Sequence, residues 1–177
     1  MLTNETAIRE ESLVCAAKQM AQAARTAPKG RGDDQLEILI VTGDEKTRLA
    51  DTMAQIGQSR GLAGFTRDSE NVRAAPVVLL IGTGTRPRKL KLCSLCGYPN
   101  CESLGQGPGG VCVFAISDLG IAVGSAVSIA ADLRVDNRIM YSAAIAAIQC
   151  GFFTPEIKVA YAIPLSASGK SPFFDRG

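Results

Sequence analysis

Four of the chain's six cysteines fall between positions 93 and 112, and none of its 177 residues is a histidine. The four are Cys93, Cys96, Cys101 and Cys112, spaced C-x2-C-x4-C-x10-C. Two cysteines three positions apart can place both sulfurs on one metal centre across a tight turn. Gly97, directly after Cys96, lets backbone N–H groups turn toward the sulfurs and stabilise negative charge. Gly105, Gly107, Gly109 and Gly110 then offer a flexible return path to Cys112. Four thiolates from one segment match a [4Fe–4S] cube, whose irons each take one cysteine. Zinc accepts four thiolates as well, but zinc ribbons usually pair two C-x2-C knuckles, and only the first pair here has that form. The bland reading is four reduced, buried thiols. Cys15, placed on the apolar face of the first helix, and Cys150, at the end of a later one, read as small buried hydrophobes.

The lack of histidine excludes Ser-His-Asp and Cys-His catalysis and any His-ligated metal. Lys plus Arg is 19 against 17 for Asp plus Glu, a net charge of +2, which argues against a dedicated nucleic-acid binder. Hydrophobic residues are 46% and charged residues 20%, enough for a core in one ordinary domain. No apolar run reaches the roughly 18 residues of a membrane span, and MLTNETAIREESLV lacks the pattern of a secretory signal. The expectation is a cytoplasmic protein with no membrane partner. In a reducing compartment, clustered cysteines more often bind metal or do redox chemistry than form disulfides.

Periodicity predicts a first helix from about Thr6 to Ala27, ended by Pro28. LEILIVT reads as a strand. Asp44 is the expected N-cap of a second helix, EKTRLADTMAQIGQSR, ending near Gly61. TRDSENVRAA reads as a short helix or a loop, and PVVLLIG as a buried central strand. ISDLGIAVGSAVSIAADL is a long apolar helix, positions 116–133, whose apolarity nearly all round calls for burial on more than one face. Asp136 is the expected cap of the helix NRIMYSAAIAAIQC, with Gly151 beyond its end, and IKVAYAIPL is the last strand. The fold class is therefore α/β, an α+β sandwich. The whole chain, 1–177, forms one domain, and the cysteine-rich module at 85–115 sits between a central strand and a long helix.

Arg86, Arg88, Lys89 and Lys91 precede the cysteines. They form either a solvated loop or a surface that docks an acidic redox partner. GTG at 82–84 and GQGPGG at 105–110 lack the full dinucleotide-binding pattern, so a Rossmann site is discounted. Lys29, Arg31, Lys170 and Arg176 are cations in a loop and a tail, where solvated roles compete with phosphate binding.

The segment AARTAPKGRGDDQLEILIVTG resembles the early helix–loop–strand of the nitroreductase-like flavoprotein fold. Together with CSLCGYPNC, DLGIAVGSAVSIAADLRVDNRIMYSAAIAA and IPLSASGKSPFFDR, it resembles a prokaryotic family of ferredoxin-domain-containing proteins. The resemblance implies a nitroreductase-like mixed sheet flanked by helices, and a homodimer whose interface would build a pocket for FMN. Phe173 and Phe174 then fit a tail that crosses to the partner. Nitroreductases typically open with an Arg-rich, Ser-containing phosphate segment. Here AIREESLV offers only Arg9 and Ser12, with two acids between them. An FMN phosphate would therefore fall to Lys29, Arg31, Lys170 and Arg176. The implied role is an iron–sulfur electron-transfer protein or oxidoreductase component with an unidentified redox partner. The rival is a metal-binding or interaction protein with a vestigial flavin pocket.

Overall fold

The computed structural model describes residues 1–107 and 109–174. Helix α1 (Glu5–Thr26) starts on Asn4, whose side chain accepts a hydrogen bond from the Thr6 N–H at 3.0 Å. A short 3-10 turn at 30–32 leads into β1 (Leu36–Val41). Two helices follow, α2 (Gly43–Arg60) and α3 (Ala63–Ala74), and then β2 (Val77–Thr83). Residues 84–100 carry neither helix nor strand. The chain continues through α4 (Cys101–Gln106), α5 (Val113–Asp132), the two-residue β3 (Asp136–Asn137), α6 (Tyr141–Gln149) and β4 (Val159–Ser166).

The sheet runs β1-β2-β4-β3 with every pairing antiparallel, so β2 and β4 are its inner strands. Leu80 of β2 stands between Leu39 and Ala162. Five consecutive apolar residues of β2, Val77 to Ile81, are all fully buried. Alternation sends Val77, Leu79 and Ile81 to one face, where α1 and α5 cover them with Leu13, Met20, Leu119 and Ala126. Val78 and Leu80 face the other side, under Leu49, Met53, Phe65 and Ala144 of α2, α3 and α6. Full burial of such a side chain is worth about 1.5–3 kcal/mol, so this strand anchors both halves of a three-layer sandwich. Gly82 continues it because a β-carbon there would stand 2.5 Å from Ile157 Cγ2.

The structure moves several elements from their expected places. Thr42, not Asp44, caps α2, and Asp44 lies within the first turn, where an acid still meets the positive helix end. TRDSENVRAA belongs to a regular helix, α3, that turns Phe65 and Val72 inward. Asp136 starts no helix. It pairs with Ser166 at the sheet edge, and Met140 exchanges two backbone hydrogen bonds with Ala162 before α6 begins at Tyr141. Backbone pairing with β4 takes the donors that a longer helix would have used.

Helix α5 is long and apolar enough to cross a membrane by length and composition, with a mean hydropathy of 1.8. It instead lays Ala115, Leu119, Ala122, Val123, Ala126 and Ala130 inward, and Asp118 is buried among them. Ile121 on the opposite side is exposed, so within the chain α5 is covered on one face rather than on several. Phe173 is buried in the chain's own core, at 2% exposure, which corrects the expectation that it reaches to a partner. Asn71 donates to the Pro172 carbonyl at 2.6 Å and Arg138 to the Phe173 carbonyl, holding the tail down, while Phe174 remains exposed.

Candidate functional site

The end of β2 carries the chain into the cysteine module. A turn closed by the Gly97 N–H on the Ser94 carbonyl at 3.1 Å follows Cys93 and contains Cys96, with Gly97 at φ 83°, a conformation that favours glycine. Asn100 caps α4 by accepting from the Ser103 N–H at 2.8 Å, which fixes Cys101 at the helix start. The Cys112 N–H bonds the Thr85 carbonyl, so the module's exit is tied to its entrance. Cys112 is buried with Leu104 and Ala115, and Cys96, Tyr98 and Phe114 pack on that cluster. Tyr98 lies so close to the return path that a β-carbon on Gly107 would stand 2.6 Å from its ring. The glycine at 107 serves close packing on Tyr98 rather than flexibility.

All six cysteines are free thiols. Cys93 and Phe114 line one small cavity, and Cys101 lines a neighbouring one with Lys89 and Lys91. The four clustered cysteines thus share one module. Among the described residues, however, no three Cys, Asp or Glu side chains stand close enough together to hold a metal. In chemical kind the donor set fits an iron–sulfur cluster or zinc, being thiols alone. Cys15 is exposed rather than buried, and Cys150 is half-buried with its thiol 3.2 Å from the Thr52 hydroxyl.

A polar network ties this module to the core. Arg88, whose side chain is 1% exposed, donates to Asp118 at 2.6 Å and to Asp33 at 3.0 Å. Asp118 also accepts from the Gly30 N–H at 2.9 Å. Gln35 donates to Asp33 at 2.7 Å. That bond, followed by Arg88 and Arg86, holds the Asp33 carboxyl below its ordinary value against the opposing effect of burial. Arg31 donates to the carbonyls of Arg88 and Lys89 at 3.1 and 2.7 Å. The loop after α1, the coil after β2 and the first turns of α5 are thereby locked together. Sequence reasoning missed Asp118, Asp33 and Gln35. The signal for Asp118 was a single acid inside an otherwise apolar helical stretch.

Of the expected phosphate cations that the structure describes, Lys29 and Lys170 do not join Arg31 in the cavity that it lines. Lys29 turns back and donates to the Ala24 carbonyl at 3.0 Å and to the Arg25 carbonyl, so it serves the last turn of α1. Burial is the main cause that lowers its pKa. Arg31 lines a cavity that includes neither Lys29 nor Lys170. Lys170 is exposed on the tail, where its carbonyl accepts from the Ser168 hydroxyl. Arg176 lies outside the described residues.

A curated protein of Archaeoglobus fulgidus, itself described as uncharacterized, is 41% identical over 184 residues, covering 99% of this chain and 98% of that one. Residues 108–176 match the family described as "uncharacterized protein containing a ferredoxin domain (DUF2148)". The chain belongs to this family. The matched stretch takes in Cys112 and leaves Cys93, Cys96 and Cys101 ahead of it. Among solved structures, nitroreductase CinD from Lactococcus lactis in complex with nicotinic acid superposes with a TM-score of 0.60 at 15% identity, over 98% of this chain and 86% of that one. A nitroreductase with bound FMN from Desulfitobacterium hafniense gives 0.59 at 14%, over 97% and 81%. A BluB-like flavoprotein from Clostridium difficile gives 0.57 at 18%, over 88% and 84%. The fold is nitroreductase-like.

Proposed function

We propose that this protein is an iron–sulfur redox protein, an electron-transfer or oxidoreductase component that holds a [4Fe–4S] cluster on Cys93, Cys96, Cys101 and Cys112. The observation that carries the reading is an all-thiol donor set confined to one module, in a chain of a ferredoxin-domain family. A cluster in that position would supply one-electron transfer. The residues around it define its surroundings. Leu104, Ala115 and Phe114 supply an apolar wall, and Lys89 and Lys91 supply positive charge at the rim of the Cys101 cavity. Those cations suit docking of an acidic redox partner. The chain is one domain with residues 85–115 as the cluster-bearing insert. Its six unpaired thiols agree with a reducing, cytoplasmic setting.

The fold neighbours support a flavin as well, since one of them is a structure with bound FMN. A homodimer is part of the reading. Tyr141, Ile145 and Ile148 recur at helical spacing on α6 and are exposed in the protomer.

The test is anaerobic purification followed by visible spectroscopy and metal analysis. A brown protein with about four irons per chain is expected. A yellow spectrum without iron would assign the redox role to flavin alone. A colourless protein with about one zinc would replace the cluster with a structural metal site.

A further inference from the structure

The geometry points to a second site beside the cysteine module: a binding cavity for a phosphate group, built by Arg31, Arg86 and Lys89 over the buried Arg88. The cavity has a volume of about 580 Å³ and is also lined by Asp33, Gln35, Pro87 and Gly105. Four cationic side chains therefore stand against one carboxylate. Asp33 is already engaged by Arg88 and Gln35, and Asp118 takes the other end of Arg88. Arg31, Arg86 and Lys89 are exposed and form no salt bridge among the described residues.

Two further observations mark the site as built rather than incidental. Arg88 is 2% exposed, and with both terminal nitrogens on carboxylates its Nε has no partner. Gln35, 8% exposed, donates through its amide nitrogen while its Oε1 has no partner either. Unpaired polar atoms in the interior are uncommon and call for an explanation. Here both atoms are buried, on residues whose other atoms line the cavity. Backbone strain falls on the same place. Arg31 at φ 61° and Lys89 at φ 52° are two of only three non-glycine residues with positive φ among those described. Such conformations persist where surrounding contacts enforce them, and they cluster at ligand clamps. The contacts are visible: Arg31 Nη1 reaches across to the Arg88 and Lys89 carbonyls, and its other donors make no hydrogen bond among the described residues.

Donors arriving from two loops suit an anion with several oxygens, and guanidinium groups match phosphate geometry in particular. The volume exceeds what a bare phosphate fills and lies in the range of small-molecule pockets, so a phosphate monoester with a small organic body fits better. Nothing in this inference depends on the cluster.

Isothermal titration calorimetry on the full chain tests it, at fixed ionic strength so that general screening is constant. The probes are inorganic phosphate, ribose 5-phosphate and, as a carboxylate control, acetate. Saturable binding of the phosphates and none of acetate is expected. Tighter ribose 5-phosphate assigns the site to an ester, and tighter inorganic phosphate to the free ion. R86Q and K89Q change exposed residues outside the buried ion pair, and each is expected to weaken binding by about tenfold, the loss of one charge-assisted contact. No saturable heat at millimolar phosphate, equal affinity in both variants, or acetate bound as well as phosphate would overturn the site. Metal content and the visible spectrum of the same preparations report on the cluster separately.

Discussion

Burying a guanidinium is costly unless carboxylates stand against it, and the Arg88 side chain, 1% exposed, has two. The pair with Asp118 is buried on both sides, so removing one partner strands the other. Arg88→Met is expected to lose about 3–5 kcal/mol of stability, read by urea denaturation. Arg88→Met combined with Asp118→Leu should recover much of that loss, because no lone charge is left inside. A double variant as unstable as the sum of the singles would show that Arg88 and Asp118 are not coupled and act through their other partners. Asp33 gives a pH prediction. Its pKa is lowered in the folded state, so its contribution is present above its unfolded value and disappears as pH falls through the folded one. Below about pH 4 the wild type should lose melting temperature more steeply than Asp33→Asn. Parallel curves would mean that the Gln35 and Arg88 contacts carry no net linkage. The sequence pointed to Arg88 only as one of a basic run, because a run of cations looks the same whether its side chains are solvated or folded inward.

Elements whose burial follows a simple period were legible. PVVLLIG is apolar without interruption, and it is the strand covered on both faces. The elements that escaped are those decided by partners distant in sequence. Asp136 looks like a helix cap until β4 is there to pair with it. Helix α3 is left open between a short helix and a loop in the sequence because Asp68 and Ser69 are polar. Yet Asp68 is buried under hydrogen bonds from Arg67 and Ser142, and Ser69 donates to the Thr66 carbonyl. The cysteine module was visible as spacing, but its packing was not. That Gly107 yields to Tyr98 depends on side chains folding back across nine positions. If the four thiols hold one cluster, Cys93→Ser, Cys96→Ser, Cys101→Ser and Cys112→Ser should each cut bound iron strongly, whereas Cys15→Ser, on the exposed side of α1, should leave it unchanged. Iron analysis on anaerobic preparations reads the difference. Full iron retention in any of the four would remove that residue from the ligand set. Gly107→Ala is expected to lower iron retention or stability through the clash with Tyr98, since the ring must move for a methyl to fit.

At the scale of the molecule, the protomer buries its sheet on both faces yet leaves apolar surface on its outermost helices. Tyr141 is 62% exposed, Ile145 46% and Ile148 36%, and all three stand on one side of α6. Phe173 has been withdrawn into the core, so among the described tail residues Phe174 is the aromatic left exposed to a neighbour. A dimer would thus have to use helix faces more than a crossing tail. Single exposed apolar residues are normal on a surface, but a stripe of three at helical spacing is the arrangement that an interface uses. Ile145→Glu tests this without touching the protomer's core, because the side chain is nearly half exposed there. The folded protomer should keep its melting behaviour, while light scattering at micromolar protein should shift from dimer to monomer. An interface whose centre is apolar loses about 2 kcal/mol or more when a central anchor is replaced by a charge, which is over tenfold in the dissociation constant. A wild type already monomeric at that concentration would remove the dimer. A dimer insensitive to Ile145→Glu would move the interface to another face, for which the exposed side of α5, with Ile121, is the next candidate.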